Sequence, residues 1–347
     1  MQLHFIVRLG LMDILVGPGA TILGWLTSLL YEFFGNFGLA IIFLTIIVRG
    51  LLVPLNVRSA KAMMKQQALN DKQAEIRRKY PDDKQKQNEE LQKLFTENGV
   101  SPLSGCIVPF LPVLFLFPTY YIVRMPLQYV MGVSRSNISA LGDLLGMSGV
   151  VNDNITLINR LHNDGKAMSD AIGSGLIKLQ QIPDMKFLGL DLSRTPQWLP
   201  NQIAKNPSIY LPLLIIPILV LLTTVVQNIM MSAMKPEAKK NKEERKRAKM
   251  NPANNKPDDP TKRTAKIMNI FMPAVMLITT FMMPAAFGFY WIIGNIMGII
   301  QQVLTYYMFN KPFEEKKKEL EEQKRLAFKK KAQLATETAG SGKKKKK

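Results

Sequence analysis

The sequence predicts an all-α integral membrane protein: a core of five transmembrane helices with a cytoplasmic helical hairpin, the N-terminus outside and the C-terminus in the cytoplasm. Three observations predict it. Apolar residues, 47% of the chain, are bunched into blocks of membrane-spanning length rather than distributed with a surface period. The 46 lysines and arginines fall mostly between those blocks and after the last one. Alternate loops are basic, as an odd number of spans requires.

The blocks set the boundaries. Residues 37–57 form the first span, with Arg49 as its charge; 105–124 form the second, closed by Arg124; 209–234 form the third. The stretch from Ile267 to Tyr307 is too long for one helix, and Pro284 with Gly288 behind it divides it into spans at 267–284 and 287–309. Residues 1–36 read as an interfacial amphipathic segment, because Ile22, Trp25, Leu26, Leu29, Leu30 and Phe33 share one helical face, with Trp25 and Tyr31 suited to headgroup depth. A spanning helix is the alternative for the same residues.

Orientation follows from loop charge. Residues 58–99 carry ten basic side chains, 235–266 twelve and 311–347 fourteen, whereas 125–208 carry seven against six aspartates. This makes 58–104 a cytoplasmic hairpin loop, 125–208 an extracytoplasmic loop with an insertion, 235–266 a basic cytoplasmic loop and 310–347 a basic cytoplasmic tail. In the hairpin, Arg58 to Lys79 is free of Gly and Pro, Tyr80-Pro81-Asp82-Asp83 breaks it, and Asp82 or Asp83 caps a second helix running to Asn98. Its seam, Met63, Leu69, Ile76 and Tyr80 against Leu91, Leu94 and Phe95, is thin and implies a mobile element. Asn251 to Pro257 read as disordered, and Pro312 to about Leu334 as a charged helix-former.

Composition also excludes chemistry. The net charge of +20 suits a polyanionic partner or an anionic membrane surface. Cys106 stands alone, so neither an internal disulfide nor a cysteine zinc site is available. His4 and His162 lie far apart, and the spans hold no cluster of His, Cys and carboxylates, so neither an enzyme nor a cofactor is expected. With no small-residue cleavage site after Arg8, the expected location is a bacterial plasma membrane, crossed several times.

Arg49 demands an explanation. It lies eight residues from the end of its span, about 12 Å deep at about 1.5 Å per residue. A guanidinium at a bilayer centre costs at least about 2.5 kcal/mol. No acidic residue within a span accompanies it, which favours a hydrated groove over a packed ion pair; a snorkelling arginine that reinforces topology is the other reading. Polar residues that could line a groove are Thr223, Thr224, Gln227 and Asn228 in the third span, and Asn295, Gln301 and Gln302 in the last, though helix–helix hydrogen bonds explain such residues equally well. Methionines such as Met272, Met276, Met282 and Met283 suit a surface that accepts varied apolar partners. Pro109, Pro112 and Pro118 should kink the second span.

Asn36-Phe37-Gly38-Leu39-Ala40, Thr45 to Arg49 and Pro54-Leu55 resemble the first core helix of the YidC/Oxa1/Alb3 membrane protein insertases. Tyr80-Pro81-Asp82 and Asn98 to Cys106 are similar to that family's hairpin, Phe187 to Leu192 to its signature before the third core helix, and Phe289-Tyr290-Trp291 with Asn295 and Gln301-Gln302 to its last helix. The matches are colinear from Asn36 to Asn310. The resemblance implies no chemical reaction but an insertase and chaperone with a hydrophilic groove. Arg49, Gln227, Trp291, Thr223 and Asn295 are its substrate-groove candidates, with no catalytic residue and no metal. The implied partners are nascent membrane proteins, the lipid bilayer, the ribosome or signal-recognition machinery at the basic loop and tail, and the Sec translocase. Pro112 stands where the family often has a polar glutamine, about fifty extra residues fill Arg135 to Asp184, and without a lipobox cysteine no lipoprotein anchor is expected. The competing function is a solute transporter or channel that binds an anion at Arg49, although no internal repeat supports it.

Overall fold

The computed structural model describes residues 2–100, 115–234, 250, 260–313 and, with interruptions, 315–327. Cys106, Pro109, Pro112, the Lys242 to Arg247 run, Asn251 to Pro257 and the terminal lysines lie outside the described residues. Helices account for nearly all of the regular structure described. The chain divides into two compact units, residues 1–229 with 256–299, and residues 230–255 with 300–347.

In the first unit, α1 (Gln2–Phe34) is one helix of 33 residues, about 50 Å long at about 1.5 Å per residue, and Pro18 lies inside it. Gly35, at φ 62°, turns the chain into α2 (Phe37–Leu51). α1 packs along α2, and its Ala20, Leu23 and Thr27 are buried. Of the apolar face read in the sequence, Ile22, Trp25, Leu29 and Phe33 are 65, 63, 43 and 81% exposed, while Leu26 and Leu30 at its edge pack against the core. Of the prolines expected to kink the second span, Pro118 lies among the described residues; it is buried in α6 (residues 115–124), its ring packed against Gly19 of α1.

The first predicted span is broken. α2 ends at Leu51, α3 (Val53–Ala68) follows, and the two are bent by 46°. Pro54 has no N–H to bond the carbonyl one turn back, and its ring crowds that carbonyl, so the ladder breaks there. The expected Arg58–Lys79 helix also breaks, at Leu69, whose N–H bonds Gln66 O at 3.1 Å; α4 (Asn70–Lys79) continues beyond it. α5 (Lys84–Glu97) is capped by Asp83, whose carboxylate accepts from Lys86 N at 2.9 Å. Because the chain turns at Leu69, α4 rather than α3 pairs with α5. The seam is therefore Leu69, Leu94 and Val100 with Ile76 and Phe95, and Met63, expected in it, is exposed.

The insertion is a folded helical lobe: α7 (Pro126–Tyr129), α8 (Arg135–Leu144), α9 (Asn154–Asn163) and α10 (Gly165–Gly173). Ile138, Leu141, Leu157, Ile158, Leu161 and Ala171 are buried in its core. Arg124, at the end of α6, reaches Asp153 Oδ2 at 3.2 Å, and the other oxygen of that carboxylate caps α9. A two-residue hairpin follows, β1 (Lys186–Phe187) and β2 (Leu190–Asp191), with Lys186 opposite Asp191. Leu188 and Gly189 turn it at φ 52° and 78°, both left-handed as a tight hairpin of this twist requires.

After the short helix α11 (Pro200–Ile203) come α12 (Pro207–Leu213) and α13 (Ile215–Ala233), then α14 (Pro260–Thr280) and α15 (Ala285–Thr305). Residues 281–284 separate the last two at the expected Pro284. Among the described residues, two helices are long and apolar enough to cross a membrane, Pro207–Ala233 and the one that begins at Ala285. The bent α2–α3 pair makes a third if taken as one broken span. In the second unit, Tyr306–Asn310 form a π-turn, and Asn310 Nδ2 donates to Met234 O at 3.4 Å.

Candidate functional site

The N-terminal ends of α2 and α15 are held by the hairpin and the residues after it. Asn36 caps α2, its carboxamide oxygen accepting from Leu39 N at 3.1 Å, while its Nδ2 donates to Lys186 O at 3.0 Å. Phe187 sits on the face of α2 that Gly38 leaves open and meets the Phe289 ring edge-on, with centroids 5.4 Å apart. Past the hairpin, Arg194 O and Leu192 O accept from Ala285 N at 2.8 Å and Ala286 N at 3.0 Å, filling two of the vacant donors of the first turn of α15. Asp191 stiffens that segment, accepting from Ser193 N at 3.0 Å and Arg194 Nε at 3.2 Å.

With those ends pinned, polar side chains from three helices converge on one stretch of α15. Asn295, 4% exposed, donates from Nδ2 to Thr223 Oγ1 at 3.0 Å and to Thr224 Oγ1 at 2.8 Å. Each threonine passes its own proton back along α13, to Leu219 O and to Val220 O, both at 2.7 Å. The hydroxyls thus accept across the interface while donating within their helix.

Arg49 lies in the last turn of α2, before the break, not in mid-helix. Its guanidinium lies against Gly294: a methyl group there would stand 2.8 Å from Nη2 and 3.5 Å from both Cζ and Nε. Arg49 is engaged within the fold, rather than standing alone as its lack of an acidic companion suggested. One turn along, Gln227 Nε2 of α13 packs in the same way against Gly298.

Four of the five candidates, Arg49, Thr223, Gln227 and Asn295, therefore gather around one face of α15. Trp291 is 8% exposed and packs on Phe287, centroids 4.9 Å apart, in an aromatic group with Tyr290 and Tyr120. Asn228 Nδ2 is buried with no hydrogen-bond partner among the described residues. Gln301 and Gln302 belong to the second unit. Among the described residues, no group of His, Cys, Asp and Glu could hold a metal ion.

Sequence reasoning missed Gly294 and Gly298. The available signal was Gly294-Asn-Ile-Met-Gly298, the small-xxx-small spacing of close approach in apolar helices.

The family model described as 60Kd inner membrane protein matches residues 29–312. A membrane protein insertase YidC of Mannheimia succiniciproducens is 26% identical over 282 residues, covering 81% of this chain and 35% of that protein. That of Caldanaerobacter subterraneus is 34% identical over 105 residues, covering 30% of this chain and 51% of that protein. That of Mesorhizobium japonicum is 38% identical over 104 residues, covering 30% and 17%. The matched stretches thus span between about a sixth and half of these relatives' length.

Proposed function

The chain belongs to the 60Kd inner membrane protein family, the YidC/Oxa1 family, and from that premise we propose that it is a membrane protein insertase and chaperone. It crosses the bacterial plasma membrane with five helices, N-terminus out and C-terminus in. No covalent chemistry is involved. The basic hairpin, loop and tail face the cytoplasm and meet the ribosome, the signal-recognition machinery or anionic headgroups, all of which attract lysine through phosphate. The Sec translocase is a further partner.

The observation that carries the proposal is the gathering of Arg49, Thr223, Gln227 and Asn295 around one face of α15 among otherwise apolar helices. A nascent helix has apolar surface that lipid accepts and flanking polar groups that lipid rejects. A fixed guanidinium offers those groups, acidic ones above all, an intermediate resting place at lower cost than bare hydrocarbon. The apolar part then moves laterally into lipid.

The test is depletion of the protein and complementation with Arg49→Ala or Arg49→Lys, scored by insertion of a small single-span substrate with an acidic translocated end. Loss with alanine and partial retention with lysine are expected. Full insertion with Arg49→Ala would remove the charge-recruitment step. Crosslinks from α6 and α15 to a ribosome-bound nascent helix are expected as well; their absence, together with uptake of an anionic solute, would favour a transporter.

A further inference from the structure

We infer that Gly294 is a positioning residue for Arg49: its missing side chain is the seat that holds the guanidinium in the site. Asn295 beside it points to the two threonines instead. A Cβ at Gly294 meets three atoms of one guanidinium, the nearest at 2.8 Å, a separation that real Cβ contacts essentially never show. The same relationship recurs one turn on, where Gly298 receives Gln227. Two glycines four residues apart thus admit polar tips from two different helices.

This differs from the ordinary use of the spacing. Glycines on apolar helices usually let a second backbone approach, and Gly288 of the same helix does serve packing, with Ile216 against it. At Gly294 the group admitted is the far end of a long, flexible side chain. Alanine there has room to be accommodated if the guanidinium moves aside, so the fold survives while the charge is displaced. The fork is planar and rigid, so moving one nitrogen turns the whole group.

The consequence for insertion rests on the reading of Arg49 as the charge that receives substrate; the seating itself does not. Two measurements on the full-length protein keep them apart. The first is the rate at which phenylglyoxal modifies Arg49 in detergent micelles, followed by peptide mass spectrometry with Arg160 of the helical lobe as internal reference. Gly294→Ala is expected to change the Arg49 rate by about threefold or more, on the order of the coupling seen between contacting residues, and to leave Arg160 unchanged. The second is insertion of the acidic-ended substrate, where Gly294→Ala is expected to lower the rate by up to about tenfold. In the Arg49→Ala background it should lower it no further.

An unchanged Arg49 modification rate in a well-folded Gly294→Ala protein overturns the inference. Additive losses in the double variant do the same, since they place the effect of Gly294 elsewhere. A changed modification rate with normal insertion keeps the seat and removes charge recruitment. If Gly294→Ala fails to accumulate, Arg49→Ala/Gly294→Ala decides: restored accumulation identifies the guanidinium as the clashing group, and continued failure overturns the inference.

Discussion

The carboxamide of Asn295 donates to Thr224 Oγ1 at 2.8 Å across the contact between α15 and α13, with both residues buried. The hydroxyl cannot rotate away without giving up its own bond to Val220 O. In hydrocarbon, water offers no substitute, so this bond and its twin to Thr223 set the rotation of one helix about the other. Asn295→Leu keeps the bulk and removes both bonds, and should lower stability by about 1–2 kcal/mol. Thr224→Val should cost about half as much, because the Thr223 bond remains. Unfolding titrations with SDS in mixed micelles measure both.

The helical lobe of α7 to α10 should be an independent source of stability. Leu161 is about 1% exposed in its core, beside Ile158 and Leu157. Leu161→Ala should cost about 2–5 kcal/mol through lost transfer energy and the cavity left behind. Thermal melting of the purified protein, followed by circular dichroism, should show a lower transition. An unchanged midpoint would mean that the lobe does not fold as a packed body.

The start of α10 should be pH-sensitive. Asp164 accepts from Ala167 N at 3.2 Å and Lys166 N at 3.0 Å, and these backbone donors, the one from Ala167 foremost, then Arg160 beside it, hold its carboxyl below the ordinary aspartate range. A depressed native value means that folding favours the charged form. The stabilisation is therefore complete above the ordinary value near 3.8 and is lost as pH falls through the native value. Hydrogen exchange at Lys166 and Ala167 should accelerate over that acidic window in the wild type, relative to amides elsewhere in the lobe. Asp164→Asn should show no such window.

The α4–α5 hairpin should open more readily than the lobe. Its buried cluster is Leu69, Leu94 and Val100, backed by Ile76 and Phe95, while most of its helical surface is exposed. Amides of α4 and α5 should exchange faster than those of α9, since opening costs few apolar contacts. Leu94→Ala should speed exchange in both hairpin helices together and leave α9 unaffected. Equal protection in α5 and α9 would refute a readily opened hairpin.

Much of this was legible in the chain, for physical reasons that differ by element. The divider at Pro284 and the cap at Asp83 were visible because proline and a capping aspartate act on the backbone locally. The bend at Leu52 had the same kind of sign in Pro54, but apolar composition continues past it and hid the break. The exposed face of α1 bearing Ile22, Trp25 and Phe33 was found, but the buried side with Ala20, Leu23 and Thr27 was not. Periodicity shows that a helix has an apolar side, and in a membrane protein that side can as well face lipid as protein. Gly294 left little trace, because a glycine's role is set by what enters the space it leaves.

By itself, then, the sequence determined composition-driven features: apolar helices, the segregation of lysine and arginine into alternate loops, the breaks at proline, and the presence of a charge at Arg49 where lipid would resist it. Each depends on residues close together in the chain or on transfer energies that ignore neighbours. Tertiary structure decided which polar groups meet. Arg49, Gln227 and Asn295 come from positions far apart in the chain, and they converge because the Phe187 hairpin pins α2 to α15 and because two glycines on α15 leave room. Such convergence depends on distances set by packing, which no single stretch of sequence contains.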